Sequence, residues 1–99
     1  MPKLSQDVPD DYNEYKRKLA GEIGKRIKDR REKLNFSQRE IREKMQLASV
    51  FITRSQYSRL ENGEKLPVAS EIIALCSVLK VSCDWLLNIH EPEKNASIR

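Results

Sequence analysis

The stretch "TRSQYSRLENG", residues 53–63, decides how this chain is read: a short helix whose only apolar residues are Tyr57 and Leu60. Its limits are set locally. "TRSQ" is a capping box, with Thr53 offering a side-chain oxygen to the first turn and Gln56 reaching back to the cap. Ile52 and Tyr57 flank that cap at the spacing of a hydrophobic staple. Asn62-Gly63 supplies the stop. At 3.6 residues per turn, Gln56, Tyr57, Leu60 and Glu61 fill one arc and anchor the helix. Arg54, Ser55, Ser58, Arg59 and Asn62 fill the other, and every one of them is a hydrogen-bonding side chain.

Working outward, "SQRE" at 37–40 is a second capping box. It opens a helix whose buried face is Ile41, Met45 and Ala48. "QLASVFI" then connects to Thr53. Upstream, a helical pattern starts at Asp10, with Tyr12, Tyr15, Leu19, Ile23, Ile27 and Leu34 near one stripe. Gly21 and Gly24 weaken its middle and place a break near "AGEIG", giving two helices. Asn35 is the left-handed stop. Downstream of Pro67, Ser70 caps a helix with a wide apolar face of Ile72, Ile73, Leu75, Cys76 and Leu79. Ser82 caps a last short helix, whose Trp85 and Leu86 close the core. No segment shows the alternation of a strand, so the fold class is all-α.

Chain length bounds the rest. Ninety-nine residues hold one domain. Residues 1–9 and the polar tail 90–99 read as disordered. The longest apolar run, "IIALC" at 72–76, falls far short of the roughly 18 residues that cross a bilayer. No signal-peptide core is visible, and the reading is a cytoplasmic protein. In that compartment Cys76 and Cys83 are reduced thiols rather than a disulfide. His90 alone cannot complete a metal site, and it lies in the tail with nothing to orient it for catalysis. With no phosphate-binding glycine loop either, no enzyme, metal or cofactor is expected.

Charge is unevenly spread. Residues 23–66 carry twelve basic and six acidic groups, a net +6, while residues 1–22 and 67–99 each sum to −1. The excess is either a set of solvated helix faces or the footprint of a polyanion. Arg54 and Arg59 carry forked donors that match guanine O6/N7 or a phosphate, and Ser55 and Ser58 are short enough to let a backbone approach. A basic helix that follows a second capped helix is the layout that enters a DNA major groove.

"IGKRIKDRREKLNFSQREI", "TRSQYSRLENGEKLP" and "IIALCSVLKVSCDWLL" together resemble the Cro and lambda-repressor-like helix-turn-helix family, called the Xre family in bacteria. The resemblance covers residues 23–89. It implies a compact five-helix lambda-repressor-like bundle, preceded here by a helical extension, 1–22, and followed by the tail, 90–99. It makes residues 54–62 the recognition helix. Arg54, Ser55, Ser58 and Arg59 are then the base-contact set, and Ser37, Gln38, Asn62 and Lys65 the phosphate-contact set. Gln38 either meets a phosphate or braces a recognition residue. Family members pair an arginine at the position of Arg31 with a glutamate at that of Glu61. The helix wheel agrees: Glu61 sits on the anchoring arc near a helix C-terminus, where a bare carboxylate is unfavourable.

Departures from the family pattern cluster. The turn from Met45 to Thr53 is several residues longer than usual, as in a long-turn variant of the family. Arg42 stands where a small residue is usual, Gln46 where a glycine is, and Arg30 where a leucine is. A longer turn removes the need for small residues at a tight helix crossing. Phe51 in that turn either packs inward or extends the contact surface, and Arg30 faces solvent or a phosphate. The implied function is a sequence-specific repressor that binds double-stranded DNA as a homodimer on a palindrome. An antitoxin with the same fold, holding a toxin protein through its flanks, is the alternative. The Tyr12, Tyr15, Leu19 stripe is then either intramolecular packing or a dimer contact.

Overall fold

The computed structural model describes residues 10–89, so the expectations for residues 1–9, for the tail 90–99 and for His90 lie outside it. The described residues form five helices and no strand: α1 (Asp10–Lys33), α2 (Gln38–Leu47), α3 (Arg54–Glu61), α4 (Ala69–Leu79) and α5 (Cys83–Leu87). The all-α expectation and the five-helix count both hold. α1 packs on α3, α4 and α5, α2 packs on α3 and α4, and α4 packs on α5. Ile23, Ile27, Ile41, Met45, Ile52, Tyr57, Leu60, Leu75, Leu79 and Leu86 meet in the centre, each all but fully buried. Each such aliphatic side chain contributes about 1.5–3 kcal/mol on leaving water.

Capping explains where the helices begin. Ser37 and Thr53 each accept a hydrogen bond from the backbone N–H three residues on, and the side chains of Glu40 and Gln56 each accept one from the cap N–H. Ser82 caps α5 through the Trp85 N–H. α4 begins earlier than expected. Val68, not Ser70, is its cap, and since valine has no acceptor the closure is one-sided, a bond from the Val68 N–H to Glu71 Oε1 at 3.0 Å.

All five helices end the same way. A residue with positive φ follows the last turn (Asn35, Ser49, Gly63, Lys80 and Asn88), and the next N–H folds back to a carbonyl five residues earlier. Only one of these is glycine; Asn35 and Asn88 are of the type that enters the left-handed region most readily after it, and Ser49 and Lys80 bear its steric cost. Arg30 adds a further closure. Its Nε donates to the Leu79 carbonyl at the end of α4, 2.9 Å away, while the half-buried side chain still lines a surface depression with Lys33 and Lys80.

Four further expectations are corrected. α1 runs unbroken through "AGEIG". Gly24 is not a weak point there but a clearance: a Cβ on it would be driven into the Leu60 carbonyl oxygen and would stand 2.7 Å from that of Glu61. The helix keeps its course because Ala20, Ile23 and Ile27 are buried on either side of the crossing. Ala48 is exposed because it is the C-cap of α2 rather than part of its face. Trp85 and Ile73 remain 43% and 68% exposed, leaving closure of the core to Leu86. Tyr12 and Tyr15 are likewise exposed, because the first turns of α1 project past the bundle, so within the stripe of Tyr12, Tyr15 and Leu19 only Leu19 packs on the core.

Opposite outcomes are expected for alanine at the two α1 glycines. Gly24→Ala forces two backbone segments apart and should destabilise the fold by about 1–3 kcal/mol in urea unfolding. A Cβ on Gly21 meets nothing within 4 Å, so Gly21→Ala should stabilise by about 0.5–1 kcal/mol.

Candidate nucleic-acid interface

Tyr57 and Leu60 hold α3 to the core by its inner arc. That leaves Arg54, Ser55, Arg59 and Asn62 exposed and Ser58 half-buried, all on one side. These five residues and Glu64 line one shallow depression. Sequence reasoning missed Glu64, whose carboxylate stands 3.7 Å from Arg59 Nε. It enters because the Gly63 turn swings the chain back beside Arg59, a placement that spacing along the sequence does not reveal. Both partners are more than half exposed, so the pair is weak and leaves the guanidinium free to exchange partners.

Behind this face lies the Glu61 carboxylate. Arg31 grips it with two forked bonds, Nε to Oε2 at 2.6 Å and a second guanidinium nitrogen to Oε1 at 3.1 Å. The same Arg31 donates to the Phe36 carbonyl at 2.8 Å, in the turn between α1 and α2. Gln38 Nε2 donates to Oε1 at 3.0 Å, and the Tyr57 hydroxyl to Oε2 at 2.5 Å. So Gln38 lies against α3 at the start of α2, half-buried, with its amide nitrogen engaged.

Burial pushes the Glu61 carboxyl up, but the bonds from Arg31, Tyr57 and Gln38 outweigh it and hold the group below its usual range. Burial, reinforced by the bond to Glu61, pushes the Tyr57 hydroxyl far up, so it stays a donor. The hydrogen bond to Glu61 raises Arg31, which stays a cation.

Ser37, exposed at the α2 cap, accepts from the Glu40 N–H, which leaves its hydroxyl proton to donate elsewhere. Asn62 caps the C-terminal end of α3 and Lys65 lies half-buried in the loop beyond it. In the long turn, Ser49 closes α2 and Ile52 returns to the core, while Leu47 and Phe51 stand 87% and 75% exposed. Phe51 therefore extends the surface. Arg42 is half-buried on α2, and its Nε is enclosed with no hydrogen-bond partner among the described residues.

Away from this face, Cys76 and Cys83 are free thiols, with Cys76 donating to Cys83 Sγ at 3.2 Å. Burial pushes the Cys76 thiol up to about 12, which removes it as a nucleophile at neutral pH. No group of three or more metal-ligating side chains occurs among the described residues, and no described helix is long and apolar enough to cross a membrane.

Two capped helices with a basic, hydrogen-bonding face on the second define a helix-turn-helix DNA-binding domain. A helix-turn-helix family model matches residues 27–86. The chain belongs to that family, of the Xre and lambda-repressor-like kind, and carries its DNA-binding transcription-regulator domain. No curated protein and no solved structure shows significant similarity to the chain.

Protonation should expose the role of Glu61. Its folded pKa lies below that of the unfolded chain, so its contribution is complete above the ordinary value of 4.5 and fades as pH falls through the folded value. Glu61→Gln leaves the largely buried Arg31 guanidinium with only the exposed Glu32, 3.9 Å away, as counter-charge and should cost about 3 kcal/mol at pH 7. Urea titrations should show this gap narrowing steadily below the ordinary glutamate range, and a gap independent of pH would refute the assignment.

Proposed function

We propose that the protein is a sequence-specific transcriptional repressor that acts as a homodimer on a palindromic operator. The observation that carries this reading is the outward arc of α3. Arg54, Ser55, Ser58, Arg59 and Asn62 share one face with no apolar side chain among them, on a helix anchored from behind. Arg54 and Arg59 are the proposed base readers, with Ser55 and Ser58 allowing close approach. Ser37, Asn62 and Lys65 are the proposed phosphate contacts, which set register without reading sequence. Gln38 takes the bracing role, because its amide nitrogen already holds Glu61.

A dimer would place two such helices about one turn of DNA apart, roughly 34 Å. Trp85 and Ile89, exposed at the end of the bundle, offer an apolar contact for it. The antitoxin alternative draws its support from Tyr12 and Tyr15, exposed on the projecting start of α1, where a protein partner has access. Deletion in the presence and absence of neighbouring genes separates the two: an antitoxin becomes lethal to lose only while its toxin is encoded.

Selection of bound sequences from random duplex DNA, at low and at physiological salt, tests the main reading. The expected result is an inverted repeat with half-sites one helical turn apart. Arg59→Ala should cost about 1–3 kcal/mol on that site and relax preference at one position per half-site, with its circular dichroism unchanged. Binding with no motif, lost at physiological salt, would reduce the face to a general polyanion surface.

A further inference from the structure

A second depression adjoins the reading face. It is a cleft of about 490 Å³ between the projecting start of α1 and the loop that follows α3. Asn13, Lys16 and Arg17 line one side, and Gly63, Glu64 and Lys65 the other. The loop is held there by contact: a Cβ on Gly63 would stand 2.7 Å from the Gly21 Cα, so α1 and the loop touch backbone to backbone. Gly63 also has a φ of +75°, which turns the chain from the recognition helix into the cleft wall.

Three cations and one carboxylate line this cleft. That carboxylate, Glu64, stands beside Arg59 on the side of the reading face. Arg17 has Glu14 at 3.9 Å, but both side chains are more than two-thirds exposed, and such a pair contributes little. Among the described residues neither Lys16 nor Lys65 is paired with a carboxylate. Glu64 lines both depressions, so the cleft continues the surface that carries Arg54 and Arg59. DNA in that surface does not stop at the bases α3 reads. Its phosphates continue at about one per 3.4 Å along each strand.

We infer that this cleft takes a backbone phosphate of DNA outside the half-site read by α3, with Lys16 and Arg17 of the α1 extension and Lys65 of the loop as its donors. The inference rests on the reading of α3 as the recognition helix. Through it the extension lengthens the DNA footprint by a contact that carries affinity and no sequence information.

The test uses the full chain, its selected operator and the double variant Lys16→Gln, Arg17→Gln. Both side chains are exposed, and circular dichroism checks that the fold is kept. Binding is titrated against salt on a duplex with long flanks and on one trimmed to the outer edges of the half-sites. On the long duplex the variant should bind roughly fivefold to tenfold more weakly per lost contact at about 0.1 M salt, and the slope of log K against log salt should fall by about 1 per contact. Base preference should not change. On the trimmed duplex the variant and the parent protein should bind alike. Equal binding on the long duplex would overturn the inference and leave the cleft to a protein partner. So would an equal loss on both duplexes, which marks a general charge effect. Arg59→Ala, run alongside, keeps the two readings apart: if it loses base preference while the double variant behaves as the parent, α3 is the reader and the cleft is not a phosphate site.

Discussion

The Glu61 carboxylate is the constraint on which the rest of this domain depends. It sits in the interior at the C-terminal end of α3, where both desolvation and the helix dipole oppose its charge. Four hydrogen bonds from three directions reverse that balance: two from Arg31 on α1, one from Gln38 on α2 and one from Tyr57 within α3. None of these donors could move far without stranding a buried charge. The carboxylate therefore fixes how α3 sits against the start of α2. A DNA-reading face needs that relation held, because base-edge contacts depend on the docking angle set by phosphate contacts elsewhere.

Packing supports the same geometry from the other side. Gly24 lets α1 approach the last carbonyls of α3, the end of the helix where Glu61 sits. Tyr57 acts twice, as a fully buried core side chain and as a donor to the carboxylate. The long turn between α2 and α3 does not disturb this arrangement, because its two ends are fixed independently. Ser49 ends α2 in a left-handed conformation, with the Val50 N–H returned to the Met45 carbonyl, and Ile52 re-enters the core just before the Thr53 cap. The extra residues are left outside, where added loop length costs little closure entropy. Leu47 and Phe51 are exposed as a result.

What could be read from the sequence was what neighbours along the chain determine. Both capping boxes, the Ser82 cap, the inner arc of Tyr57 and Leu60 and the stop at Asn35 each follow from a few adjacent residues. The need of Glu61 for a cation was legible too, because a wheel places it inward. Which side chains meet it was not: that Gln38 and Tyr57 join Arg31 depends on how three helices cross. Gly24 shows the difference most clearly. Locally a glycine only lowers helix propensity, so the pattern reads as a break, whereas across the crossing it is the one residue that fits. The Arg30 contact was hidden for the same reason. A wheel shows that Arg30 leaves the apolar stripe, but not that the end of α4 offers it a carbonyl. Trp85 was placed inside on hydrophobicity alone, and the short α5 has room to bury only Leu86 fully.

Charge was legible only as an average, and averaging hid part of its arrangement. Residues 1–22 sum to −1 and give no sign of a polyanion surface. Once α1 is known to be one continuous helix, those charges separate by direction. Asn13, Lys16, Arg17 and Ala20 are the α1 residues that line the cleft beside Lys65. Asp11, Glu14 and Glu22 fall on other arcs of the helix, while Asp10 shares the arc of Arg17 two turns nearer the start. Tyr12 and Tyr15 lie on another side again, roughly a third of a turn away. One short projection thus presents a cationic edge toward the loop that follows α3, bordered by aromatic side chains, with Lys16 Nζ 5.2 Å from the centroid of the Tyr12 ring. Net charge over a segment constrains a partner only when the segment has no defined faces. A helix that continues rigidly out of a packed bundle has them, and the sign of each face, not of the segment, is what an approaching phosphate meets.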